Sequence, residues 1–194
     1  MIKVGLTGGI GSGKTTIARI FMQLGVSIYF SDTRAKYLMQ NNKFLKESLI
    51  SLFGSKVFIN GLLNRSYISS IVFSNPEELV KLNTLVHPFV EKDFQYWLAS
   101  KSANYVIKEA AILFEAGADK FLDQVILVES PEDLKISRVM LRDGITREEV
   151  LMRMGKQWSD DKKRTNADYI IFNNEKFSLI NQILRLDSIF SASQ

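Results

Sequence analysis

Short unbroken apolar runs alternate along this chain with stretches patterned for helices. The runs lie at Ile2–Thr7, residues 26–30, residues 105–107, Gln124–Glu129 and Tyr169–Phe172. Strands that are apolar almost throughout are covered on both faces, as parallel strands joined through helices must be. The pattern predicts an α/β fold, three layers α/β/α around a five-stranded parallel sheet. Helix starts are marked by Ser130-Pro131-Glu132-Asp133, read as an N-cap with proline at the first helical position before residues 134–142. Thr146-Arg147-Glu148-Glu149 reads as a capping box. In the tail, Phe177, Ile180, Ile183, Leu184 and Phe190 stand at helical spacing and are expected to pack on the sheet.

Two stretches exceed a minimal strand–helix alternation. Residues 35–100 form a mainly helical insertion, broken at 58–64, where Asn60-Gly61 marks a turn. Residues 144–165 form a shorter helical excursion before the last strand. No repeat or low-complexity tract occurs. With 194 residues, 46% hydrophobic and 24% charged, the chain can bury one core. The expectation is a single domain over 1–194 carrying an insertion at 35–100 and a lid region at 138–165. Disordered and fibrous classes are excluded.

Charge and cysteine content narrow the chemistry. Twenty-five basic and 21 acidic residues leave a net charge of +4. Residues 135–164 hold nine basic residues against five acids, which accounts for the whole excess. That concentration suits an anionic small-molecule partner; no nucleic acid is required. The absence of cysteine excludes disulfides, thiolate metal sites and a cysteine nucleophile. The longest uncharged run noted, residues 20–31, falls short of the roughly 18 to 20 residues that span a bilayer. No targeting segment is visible before the first strand, so a soluble, cytoplasmic protein with no membrane partner is expected, as a monomer or small homo-oligomer.

The segment Gly8-Gly9-Ile10-Gly11-Ser12-Gly13-Lys14-Thr15 fits G-x-x-x-x-G-K-[ST] at every position. An apolar strand leads into it, and a helix over 15–24, with Ile17, Ile20, Phe21 and Leu24 apolar, leads out. Such a loop turns successive backbone N–H groups toward phosphate oxygens at a helix N-terminus. Gly9 to Gly13 would cradle the phosphates, Lys14 would reach the β/γ-phosphates, Thr15 would ligate Mg²⁺ and Thr16 would touch the α-phosphate. The motif indicates a P-loop NTPase fold and a nucleoside triphosphate with Mg²⁺, but not what happens to it.

Other motifs select among P-loop classes. Neither D-x-x-G nor N-K-x-D occurs, which excludes a GTPase switch. A loop, a helical insertion after the second strand and an arginine-rich lid before the last resemble the nucleotide kinases. Asp32 lies just past the second strand, where a carboxylate can accept the proton of an attacking hydroxyl. The alternative is that Ser31-Asp32 caps a helix over 33–40. Glu109, ending the third strand, could hold Mg²⁺ through water. Asn173 suits either an adenine contact or a plain turn.

The stretch from Gly5 to Thr16, with Leu24-Gly25, Asp32 and Ala35-Lys36, resembles dephospho-CoA kinases. The likeness continues through Leu63-Asn64-Arg65, Val72-Phe73-Ser74-Asn75-Pro76-Glu77, Leu82-Asn83-Thr84-Leu85-Val86-His87-Pro88 and Leu113-Phe114-Glu115. Arg138, Arg142-Asp143-Gly144, Gln157, Ala167-Asp168 and Asn173-Asn174 complete it. Three positions depart from the family's pattern: Phe30-Ser31-Asp32 keeps only the second acid of Asp-Ala-Asp, Ala111-Ile112-Leu113 replaces Pro-Leu-Leu, and Glu175 replaces a glycine.

The resemblance implies ATP-dependent phosphorylation of the ribose 3′-hydroxyl of dephospho-CoA, with Asp32 as base. It implies that Lys14 and Arg142 meet the phosphates and that Arg138 stands on the lid side, the alternative for either arginine being a solvated basic face paired with Asp143 or Glu149. It places Thr7, Arg65, His87, Leu113, Phe114 and Glu115 on the acceptor side, although a surface ion pair would equally explain Arg65 and core packing Leu113 and Phe114. His87, the one histidine, is read as binding or shaping rather than transferring protons. The rival readings are another small-molecule or nucleotide kinase and a P-loop regulatory protein using ATP as a switch.

Overall fold

The computed structural model describes residues 1–192, with Phe73 and Ser74 described by backbone alone. The side chains of those two residues in the resembling segment, and Ser193-Gln194 at the end of the expected domain, lie outside the described residues. The chain divides into two compact units: Met1–Phe30 together with the chain from Lys101 onward, and Ser31–Ser100.

The first unit holds β1 (Ile2–Thr7), β2 (Ser27–Phe30) and, after the insertion, β5 (Tyr105–Glu109), β6 (Gln124–Glu129) and β7 (Tyr169–Phe172). All pair in parallel, in the order β2-β5-β1-β6-β7. Five strands match the five expected runs. Helix α1 (Lys14–Gln23) connects β1 to β2, and α6 (Glu132–Asp143), α7 (Arg147–Met154) and α8 (Asp160–Arg164) lie between β6 and β7. Helix α9 (Leu179–Ala192) follows β7.

The main core forms where α1 and α9 meet the sheet. Ile17, Ala18 and Phe21 of α1 and Ile183, Leu186 and Phe190 of α9 bury with Val4, Leu6, Ile107, Ile126, Val128 and Ile171. Leu113, Phe114, Ala110 and Val125 form a second cluster, and Ile136, Val139 and Val150 a third. Burying this apolar area contributes at about 25 cal/mol per Å² removed from water.

Two local expectations change in this unit. Pro131 is the N-cap of α6 rather than its first helical residue, and the Ser130 hydroxyl instead accepts from Arg138 at 3.1 Å. In the tail, the buried face is Ile183, Leu186 and Phe190, while Phe177, Ile180 and Leu184 are exposed. The apolar positions of this helix suit more than one face, and the sheet takes the stripe of Leu179, Ile183, Leu186 and Phe190. The capping box at Thr146 and Glu149 forms as expected. Among the described residues, no helix is long and apolar enough to cross a membrane.

The second unit contains α2 (Ser31–Asn41), α3 (Lys43–Phe53), a two-stranded hairpin of β3 (Phe58–Ile59) and β4 (Leu62–Leu63), α4 (Arg65–Ser74) and α5 (Pro76–Ala99). Asn60 and Gly61 both take positive φ in the hairpin turn, as a tight turn of this kind requires. Asn42, Asn64 and Asn75 cap α3, α4 and α5 by accepting backbone N–H groups. Arg34 grips Asp93 through two bonds of 2.8 and 2.6 Å, fastening α2 to α5. Helix α2 starts two residues before the expected 33, so Asp32 lies in its first turn rather than capping it.

Candidate functional site

The phosphate loop joins β1 to α1, and its glycines answer to its neighbours. Gly11 and Gly13 adopt φ of 80° and 93°, a region that L side chains rarely take. A Cβ on Gly11 would run into the Lys135 carbonyl, and one on Gly13 into the Asn173 amide. The loop closes on itself as Ser12 N–H donates to the Gly9 carbonyl at 3.1 Å. Lys14, buried at the start of α1, turns its Nζ back to the carbonyls of Gly8 at 2.8 Å and Gly9 at 3.2 Å. Thr15 and Thr16 stand exposed in the first turn of α1. The hydroxyls of Thr7 and Ser12 are fully buried with no protein hydrogen-bond partner. A buried polar atom without a partner costs about 1–3 kcal/mol, so a cradle holding two of them suits an incoming polar ligand.

Asn173, one residue beyond β7, is fixed at the loop's back. Its Nδ2 donates to the Ser12 carbonyl at 2.8 Å, and its Oδ1 lies 3.5 Å from the Arg138 guanidinium. Arg138 also reaches Glu175 at 3.1 Å. Glu175 stands at φ 63°, so a carboxylate occupies a left-handed turn beside an expected ATP-binding arginine. Thus Arg138, Asn173 and the loop are brought together. Arg142, one turn further along α6, is 62% exposed and bonded to its neighbour Asp143 at 2.7 and 3.1 Å. The Arg142 guanidinium, with Arg153 adding to it, holds the Asp143 carboxyl below the usual carboxylate range.

Several residues at this site were given no role by sequence reasoning. Gln157 accepts the Ile10 N–H at 2.8 Å. Lys135, buried on α6, pairs with Asp160 at 2.6 Å beside Gly9. Arg164 clasps Glu129, the last residue of β6, at 2.7 and 2.6 Å. Gln157 belonged to a resembling segment, and Lys135 stands three residues before Arg138. Those were the available signals, but only folding brings residues 129, 135, 157 and 160 around the loop's end of the sheet.

The remaining first-unit candidates separate. Glu109 ends β5, buried, in register with Leu6 of β1 and Phe30 of β2. Leu113 and Phe114 are buried in the second cluster. Glu115 accepts the Trp158 N–H at 2.8 Å and pairs with the fully buried Lys163 at 3.1 Å, so its visible partners are the segment leading into β7. Phe114 stacks on Trp158 with ring centroids 6.3 Å apart. In the second unit, Asp32 is exposed in the first turn of α2, Arg65 is exposed as the first residue of α4, and His87 is half-buried before Pro88 within α5.

Among the described residues, no group of three or more histidines, aspartates and glutamates could hold a metal ion unaided. The donors expected from the sequence are the Thr15 hydroxyl, in the first turn of α1, and the Glu109 carboxylate, at the end of β5. Oxygen donors in small number fit Mg²⁺, which is commonly held by one or two protein groups together with substrate phosphates.

A family model described as dephospho-CoA kinase matches residues 2–178. Dephospho-CoA kinase from Porphyromonas gingivalis is 36% identical over 187 residues, covering 96% of this chain and 93% of the relative. The Chlorobaculum tepidum enzyme of the same name is 39% identical over 179 residues, covering 88% and 86%. Among solved structures, a Thermus thermophilus protein superposes with a TM-score of 0.87 at 34% identity, covering 97% of this chain and 96% of the other. Dephospho-CoA kinase from Campylobacter jejuni gives 0.69 at 25% identity with the same coverage. Shikimate kinase from Acinetobacter baumannii, 17% identical with a TM-score of 0.57 and coverage of 97% and 92%, shares the fold. With a complete phosphate loop at the end of β1 and relatives more than a third identical along most of its length, the chain belongs to the dephospho-CoA kinase family.

Proposed function

We propose that this chain transfers the γ-phosphoryl group of ATP to the ribose 3′-hydroxyl of dephospho-CoA, giving CoA and ADP, the last step of coenzyme A synthesis. The observation that carries this reading is the phosphate loop, complete in sequence and held in shape by its neighbours, in a chain of this family. The site of action is the cytoplasm, where ATP is supplied.

In this reading the loop amides and the start of α1 bind the phosphates, and Lys14 exchanges the Gly8 and Gly9 carbonyls for phosphate oxygens. Thr15, with Glu109 through water, would hold Mg²⁺. When bound, Mg²⁺ neutralises charge on the β- and γ-phosphate oxygens. Asp32 orients the 3′-hydroxyl and takes its proton as the oxygen–phosphorus bond forms; the bond from the γ-phosphorus to the bridging oxygen breaks, and ADP leaves. Arg138 and Arg142 offset the charge moving onto the leaving phosphates. Arg142, exposed and bonded to Asp143 beside it on α6, turns its guanidinium toward the phosphates. Arg65 and His87 bind the acceptor, with Thr7, Leu113, Phe114 and Glu115 shaping its side. Lid closure excludes water and limits ATP hydrolysis.

The test is ADP release measured with dephospho-CoA, AMP, CMP, dTMP and shikimate as acceptors. Turnover with dephospho-CoA far above the others is expected. Turnover with another acceptor and none with dephospho-CoA overturns the reading.

A further inference from the structure

We infer that Lys135, Asp160 and Gln157 brace the tip of the phosphate loop and thereby set its affinity for nucleotide. The inference rests on the reading that this loop holds the phosphates of ATP.

Three contacts converge on the tip. The Lys135 carbonyl closes against Gly11, leaving no room for a Cβ there. The Lys135 side chain runs past Gly9: a Cβ on Gly9 would stand 3.7 Å from Lys135 Cδ and Nζ and 3.3 Å from Asp160 Oδ1. Its ammonium ends on Asp160 at 2.6 Å, with side-chain exposures of 7% and 24%. From the same short segment, Gln157 Oε1 accepts the Ile10 N–H at 2.8 Å. Residues 157 and 160 therefore hold adjacent residues of the tip, Ile10 through a loop amide and Gly9 through a lysine laid against it.

A buried ion pair contributes little net stability, because desolvation offsets most of the attraction. What it supplies is direction: a 2.6 Å bond between ammonium and carboxylate fixes the lysine stem where an apolar side chain could slide. As a pair it adds no net charge beside the loop. The Gln157 bond has a similar logic, since a half-buried amide needs an acceptor, and accepting from Ile10 holds that peptide in one orientation. Loop amides aimed before the ligand arrives bind phosphate without an ordering cost at binding. None of the three side chains need touch the nucleotide, so they are positioning residues.

Calorimetric titration of the full chain with ATP and with ADP, without acceptor, tests the brace in Lys135→Met, Asp160→Asn and Gln157→Met. Each should weaken both nucleotides by about 3- to 10-fold, with the KM for ATP rising in parallel and the acceptor KM unchanged. Lys135→Arg, which keeps the ion pair, should recover most of the affinity. If Lys135→Met does not fold, Gln157→Met at its half-buried position carries the test. Unchanged nucleotide affinity in the folded variants overturns the inference. So does an equal loss toward nucleotide and acceptor, or a Lys135→Arg variant no better than Lys135→Met. Because no acceptor is present in the titration, a wild-type chain inactive on dephospho-CoA would sink the proposed function and leave this result standing.

Discussion

Asn173 donates its Nδ2 to the Ser12 carbonyl at 2.8 Å, tying the residue after β7 to a loop 161 positions earlier in the chain. The same amide offers its oxygen to Arg138. One side chain thus links the phosphate loop, the last strand and the first arginine of α6.

The Gly13 position makes this link testable. A methyl group there meets the Asn173 amide and must adopt φ 93°. Gly13→Ala is expected to abolish measurable ATP binding while lowering the melting temperature by a few degrees, since the strain of about 1–3 kcal/mol is confined to the loop. Asn173→Ala removes the clash partner and the bond together, so it should weaken ATP binding less than Gly13→Ala. Equal ATP affinity in Gly13→Ala and the wild-type chain would show that the loop reshapes freely.

Much of this was legible in the sequence because the signals are local. Five apolar runs became five strands, a glycine loop between strand and helix was visible residue by residue, and Thr146 with Glu149 gave a capping box. Pairings between distant positions were not legible, because spacing carries no information about them. Asp160 meeting Lys135, Gln157 meeting Ile10 and Arg164 meeting Glu129 depend on how the 144–165 excursion returns to the sheet. The tail shows a different limit: Ile180, Ile183 and Leu184 are all apolar, and periodicity alone does not say which of them faces the core.

Asp32 is expected to separate chemistry from binding. Asp32→Asn keeps size and hydrogen-bonding capacity but cannot take a proton at neutral pH. Turnover should fall by about 100- to 10,000-fold, with ATP affinity within about 3-fold of wild type. Steady-state kinetics with ATP and dephospho-CoA, beside nucleotide titration, decide it. Unchanged turnover would reduce Asp32 to an acid that favours the start of α2.

The two arginines of α6 should behave differently, because their partners differ. Arg138 is already beside Asn173, so Arg138→Ala should raise the KM for ATP and lower its affinity. Arg142 is exposed and held by Asp143, a pair worth about 0–1 kcal/mol at the surface. Arg142→Ala should therefore leave melting nearly unchanged while lowering kcat by about 10- to 1,000-fold, if the guanidinium meets the phosphates during transfer. A kcat equal to wild type would confine Arg142 to its surface pair.

Tyr105 offers a prediction about alkaline stability independent of the reaction. Its hydroxyl donates to Asp187 Oδ1 at 2.6 Å, joining the first residue of β5 to α9, and its ring lies against Phe21 and Phe190. Burial first, then the bond to Asp187 and its charge, push the phenol well above its ordinary value. A phenol raised in the folded state contributes stability that is fully present below its unfolded value, near 10, and is lost as pH rises through the folded value. Wild-type melting should accordingly fall as pH climbs above about 10. Tyr105→Phe should begin about 1–2 kcal/mol less stable at neutral pH, having lost the bond to a charged acceptor. Without a phenol to deprotonate at that position, the variant should lose less on further alkalinisation, so the two melting curves converge. Parallel curves through this range would show that Tyr105 ionisation does not govern the alkaline limb.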